Sequence, residues 1–69
     1  MKTPTKAKAP KSGKIADYLT NGKIYDILNP NAPKTDFGWG FSIIGDDGYV
    51  IYCCEIESAH LNGLNWKLS

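Results

Sequence analysis

Arginine is absent from the 69 residues, histidine occurs once, and the only two cysteines are adjacent. The lack of arginine counts against a surface built for bidentate phosphate or base-edge contacts. Neighbouring residues on a strand point to opposite faces, so Cys53 and Cys54 are poorly placed to bridge each other. A disulfide-stapled secreted scaffold is therefore not expected, and reduced thiols in a cytoplasmic protein are. There is no long apolar run and no basic-then-apolar start, so neither a transmembrane helix nor a signal peptide is expected.

The chemistry that these gaps exclude is broad. His60 has no Cys-x-x-Cys partner, and Cys53, Cys54 and His60 make a poor ligand set when the pleat holds the thiols apart, so no metal or other cofactor is expected. His60 near Ser58 lacks the third group that would orient a nucleophile–base pair. The plainer role for His60 is a turn residue bonded to nearby backbone. Asp46 and Asp47 are paired acids in a hairpin turn, where aspartates ordinarily bond local backbone. The glycines of GDDG join two apolar runs and do not open a helix, and GKIY lacks the rest of a phosphate loop. No active site assembles, and the protein reads as non-enzymatic.

Aromatic residues are missing before Tyr18 and frequent after it: Tyr18, Tyr25, Phe37, Trp39, Phe41, Tyr49, Tyr52 and Trp66. A chain this short buries only about 60% of its unfolded surface, so these rings carry much of the core. Charge divides the chain in the same place. Residues 1–14 hold Lys2, Lys6, Lys8, Lys11 and Lys14 with no acid, whereas residues 15–69 set three lysines against seven acids, a body at −4. With Pro4 and Pro10 and no β-branched apolar residue, residues 1–13 read as a flexible lysine-rich leader ahead of one small domain at 14–69. Lys6, Lys8, Lys11 and Lys14 are the leader's candidate contacts for nucleic acid or an acidic partner; the plainer role is a solvated tail.

Residues 12–22 fit either one or two helical turns, with Ile15, Tyr18 and Leu19 at i, i+3, i+4 spacing, or a short strand and loop. The run GKIYDIL predicts a strand closed by NPNAP, whose Pro30 and Pro33 should break any ladder. FGWGFSII, GDDG and YVIYCCEI then predict a hairpin. A two- or four-residue loop there pairs odd residues of the first strand with even residues of the second. The expected core face is Phe37, Trp39, Phe41 and Ile43 opposite Val50, Tyr52, Cys54 and Ile56. The other face keeps Ile44, Tyr49, Ile51 and Cys53 near the turn. Ile44, Tyr49 and Ile51, with Asp46 and Asp47 at the tip, are the candidate partner-binding residues. ESAHLNG predicts a single 3₁₀ turn ended by Asn62-Gly63, and NWKLS a short last strand.

The segments YLTNGKIYDIL at 18–28 and AHLNGLNWKL at 59–68 resemble those of small proteins encoded by phages and prophages, which share a Leu-Thr-x-Gly-Lys-x-Tyr start and an AHLNG-x-x-W end. The resemblance spans about 50 residues. It implies an all-β SH3-like barrel of four to five antiparallel strands with a 3₁₀ turn before the last strand. It also implies a strand ahead of YLT, for which this chain offers only the leader and KIAD. By analogy with such proteins, the resemblance further implies an accessory protein that binds and inhibits or redirects a host bacterial protein, in host takeover or anti-defence, in the host cytoplasm. Two other readings are a nucleic-acid-binding module using the basic leader and an oligomeric small-nucleotide sponge with Trp39 and Tyr52 lining a pocket between subunits. A homodimer is compatible with each; a membrane partner is not expected.

Overall fold

Lysine and alanine alternate along Lys6-Ala7-Lys8-Ala9, a period of two that suits a strand with one small apolar face. The computed structural model, which describes residues 4–29 and 31–69 (31–35 by backbone alone), places a strand there. Strand β1 (Lys6–Lys8) is the centre of a three-stranded antiparallel sheet with β2 (Ile24–Asp26) on one side and β6 (Lys67–Leu68) on the other. Ala7 and Ala9 are buried. The expected flexible leader is thus corrected at these residues: alanine methyls are small, but on a central strand they let Tyr25 and Leu68, both opposite Ala7, close over the same face. Backbone bonds seal the seam, with Thr5 N–H and Lys6 N–H donating to Ser69 O and Ser69 N–H to Lys6 O. Met1, Lys2, Thr3 and Pro30 lie outside the described residues.

The second sheet is β3 (Asn31–Thr35), β4 (Gly38–Ile44) and β5 (Val50–Cys54), antiparallel, with β4 central. Residues expected to break the ladder at Pro33 form its edge strand instead. Proline is tolerated at an edge, and the β3–β4 register shifts between Asn31 and Thr35. Between β1 and β2 there is neither helix nor strand: residues 12–22 make successive turns, closed by Leu19 N–H to Ala16 O. Leu19 alone of the three apolar residues at helical spacing is fully buried.

The hairpin is where expected, but its pairing is not. Gly48 N–H donates to Gly45 O (3.0 Å), Gly45 N–H donates to Tyr49 O (2.9 Å), and Gly48 sits at φ +86°. The loop therefore holds three residues, Asp46, Asp47 and Gly48, the last in the left-handed region that glycine occupies without penalty. An odd loop pairs like parity with like: Phe41 with Cys53, Ile43 with Ile51, Ile44 with Val50. Phe41, Ile43 and Cys53 are buried on the inner face, with Trp39 and Ile51 half-buried against them. Val50 and Tyr52, expected inside, turn outward and are exposed, and Cys54 turns outward with them and is half-buried. Phe37 and Ile56 are exposed as well, beyond a kink at Gly38.

Trp66 organises the core. Its ring meets Tyr25 and Phe41 edge-to-face at 5.9 and 5.7 Å, and its indole N–H donates to the buried Ser58 Oγ (3.2 Å). The 3₁₀ turn Ala59–Leu61 ends at Asn62 and Gly63, both at positive φ, as their sequence predicts, and buries Leu61. Among the described residues, backbone bonds at or just beyond the strand ends link the two sheets, Leu28 N–H to Ser42 O and Trp66 N–H to Glu55 O, both 2.8 Å. The architecture is all-β, with a barrel that is not closed.

Candidate functional site

The outer face of β4–β5 carries Gly40, Ser42 and Ile44 opposite Cys54, Tyr52 and Val50. Ile44 (47% exposed), Val50 (62%) and Tyr52 (53%) are large apolar side chains left open to solvent, and Tyr49 at the tip is 72% exposed. Gly45 and Tyr49 form a hydrogen-bonded pair, so the alternation of an antiparallel ladder turns the backbone groups of Val50, Tyr52 and Cys54 away from β4 toward the sheet edge. At that edge the imidazole of His60 bonds Tyr52 O through Nε2 (2.9 Å) and Tyr18 Oη through Nδ1 (2.5 Å). A carbonyl can only accept, so Nε2 carries the proton and Nδ1 receives the phenol's. The expected backbone bond of His60 is present, and Tyr18 adds a long-range partner.

Of the residues expected to contact a partner, Ile44 and Tyr49 lie exposed at this end of the hairpin. Ile51 does not join them, since it points inward; Val50 and Tyr52 take its place. The loop's odd length was the signal that could have found them, because Gly48 after Asp46-Asp47 suits a left-handed third loop residue. Asp47 bonds locally, its Oδ1 accepting Tyr49 N–H (3.1 Å). Asp46 bonds across the molecule: Lys23 Nζ (2.6 Å) and Tyr25 Oη (3.0 Å) donate to Oδ1, and Thr20 Oγ1 (2.6 Å) to Oδ2, while its N–H donates to Tyr18 O. The Lys23 hydrogen bond, then that of Thr20, holds the Asp46 carboxyl below its ordinary range, and Asp46 in turn raises Lys23. Burial comes first in raising the Tyr25 phenol. Asp46 therefore pins the hairpin tip to the 18–25 segment and is committed within the chain.

The leader lysines separate. Lys6 is ion-paired with Asp26. Lys8 and Lys11 line a groove of about 240 Å³ with Ala9, Pro10, Asn65 and Lys67. Lys14 is exposed, its carbonyl accepting Asn62 Nδ2–H. Trp39 and Tyr52, imagined in one intersubunit pocket, lie on opposite faces of the sheet.

Cys53 is 1% exposed, and burial, with the neighbouring Cys54 adding to it, pushes its thiol up to about 12, which leaves it protonated and unreactive at neutral pH. Both thiols are free. Among the described residues, no three His, Cys, Asp or Glu side chains gather where they could hold a metal ion, and no helix is long and apolar enough to cross a membrane. No protein-family model, no curated protein and no solved structure matches the chain.

Proposed function

We propose that this protein is a non-enzymatic binding module that docks another protein on the outer face of β4–β5. One observation carries the reading: Ile44, Val50 and Tyr52 stand side by side and exposed on a pleated surface whose inner face packs on the core. Exposed apolar side chains gathered on one face mark interaction surfaces more often than scattered ones do. Tyrosine at the centre of such a patch supplies large contact area with a polar tip. The exposed acids Asp47 and Glu57 belong to the hairpin loop and the turn that follows β5, which favours a partner with basic residues around its own apolar contact.

An SH3-like arrangement is the finer reading of the fold, supported by the two three-stranded antiparallel sheets and the 3₁₀ turn before β6. With the phage and prophage resemblance of the 18–28 and 59–68 segments, this makes a host bacterial protein, bound and inhibited in the cytoplasm, the partner to seek.

The test uses bacterial lysate and four proteins: wild type, Val50→Asp, Tyr52→Asp and Ile24→Asp. Ile24 is an exposed apolar residue of the other sheet and serves as the control. A stoichiometric partner retained by wild type and Ile24→Asp but lost by the two hairpin variants is the expected outcome. Equal retention by all four, with each variant still melting cooperatively, refutes the assignment of the face.

A further inference from the structure

We propose that the groove between β1 and β6 is a phosphate-binding site, independent of the hairpin face. Lys8 and Lys67 are directly opposite each other across the β1–β6 ladder, a placement in which like charges repel. Lys11 joins them on the same groove, and no acid lines it. The contrast with other lysines is informative: Lys6 and Lys23 each meet an aspartate, whereas among the described residues Lys8, Lys11 and Lys67 have no ion-pair partner. An anion seated between them relieves the repulsion that the fold otherwise tolerates.

The remaining lining fits an anion too. Asn65 accepts Glu57 N–H through Oδ1 (2.9 Å), which leaves its amide as the donor end. The Pro10 carbonyl is already occupied by Gly22 N–H and Asn21 Nδ2–H. The side chains offer three ammonium groups and an amide as donors over an apolar floor of Ala9 and Pro10, with no carboxylate to oppose them. A volume of about 240 Å³ suits a phosphate or diphosphate with part of a sugar, short of the ~300 Å³ at which sites for whole drug-sized ligands begin. Lysine gives compact charges without a planar fork, so such a site reads phosphate charge and leaves base identity unread. The phosphate comes either from a small phosphorylated molecule or from a nucleic-acid backbone.

Titration of the full chain with inorganic pyrophosphate and with single-stranded oligothymidylate, followed by amide chemical shifts, separates the sources. Saturable shifts confined to residues 8–11 and 65–67 are expected. Lys8→Gln and Lys67→Gln should each weaken binding by about five- to tenfold at low salt. Each should also lower the slope of log K against log salt for the oligonucleotide by about 0.7. Lys14→Gln, away from the groove, should do neither. Lys67→Gln should also raise the melting temperature of the ligand-free protein at low salt, because it removes one of the two opposed charges. Tighter binding of the oligonucleotide than of pyrophosphate assigns the source to nucleic acid; equal or tighter binding of pyrophosphate assigns it to small phosphorylated molecules. Absence of saturable shifts with both probes overturns the proposal. So does equal weakening by Lys8→Gln, Lys67→Gln and Lys14→Gln, which signifies attraction to overall charge with no site.

Discussion

Removing residues 1–9 should unfold this protein, although they look dispensable in the sequence. Among the described residues, five backbone bonds outside the strand ladders tie this segment to the rest: Thr5 and Lys6 N–H to Ser69 O, Ser69 N–H to Lys6 O, Ile27 N–H to Thr5 O, and Ala9 N–H to Lys23 O. At a net 0.5–1.5 kcal/mol each they contribute roughly 2.5–7.5 kcal/mol. The β1–β2 and β1–β6 ladders and the burial of Ala7 and Ala9 add to that. A 69-residue domain has about 3–10 kcal/mol of total stability. The loss is thus comparable with the whole. Trp66, buried beside Tyr25 under this sheet, reports the outcome through its fluorescence and near-ultraviolet dichroism. The truncated chain should show an emission maximum shifted to the red and no cooperative melt. A truncated protein that melts cooperatively within a few degrees of the intact one would refute the assignment of β1 to the core.

Other expectations follow from single residues. Gly38→Ala should destabilise by about 2 kcal/mol or more: at φ +76° the new Cβ runs into Glu55 Oε1 and comes within 2.8 Å of Glu55 Cβ. Gly48→Ala, at φ +86° with nothing within 4 Å, bears only the backbone penalty of about 1 kcal/mol, and chemical denaturation of the pair measures the difference. Asp46 is held below its unfolded value by Lys23 and Thr20, so its stabilisation is complete above about pH 4 and is lost as pH falls through the folded value. Asp46→Asn should therefore lower stability at neutral pH and flatten the acid limb of a melting-temperature profile. Native-state alkylation should label Cys54 alone, with Cys53 reacting only on unfolding. Burial raises the Cys53 thiol to about 12, so the stability it contributes is complete below about pH 9 and fades as pH rises through the folded value.

The sequence made the β2 strand, the hairpin, the 3₁₀ turn and the last strand legible, because each has strong local chemistry: Ile and Tyr runs, a glycine-bounded turn, Asn62-Gly63. The pairing inside the hairpin was not legible from apolar pattern alone. Residues 49–54 are apolar on both parities, so the pattern fits either register and only the loop length decides. The Lys6–Lys8 strand was hidden by low hydrophobicity; the alternation of lysine and alanine over residues 6–9 was the available signal. Of the residues expected to contact a partner, Ile44 and Tyr49 are exposed, Ile51 turns inward while Val50 and Tyr52 turn outward through that one-residue change, and Asp46 is taken up by Lys23, Thr20 and Tyr25, contacts that no local motif announces. Lys67 joins Lys8 and Lys11 only through the β1–β6 pairing.

That pairing bears on the order in which the chain assembles. The β4–β5 hairpin closes across a three-residue loop, whereas Lys8 meets Lys67 only after nearly the entire chain has been gathered. Loop-closure entropy makes contacts between distant residues late ones. The seam between the two ends is then the last to zip and the first to part. Substitutions at Ala7 should accelerate unfolding and leave the folding rate almost unchanged, while substitutions at the 45–49 turn should slow folding. Persistence of the folded state, as distinct from its equilibrium stability, is therefore set by the short lysine–alanine strand.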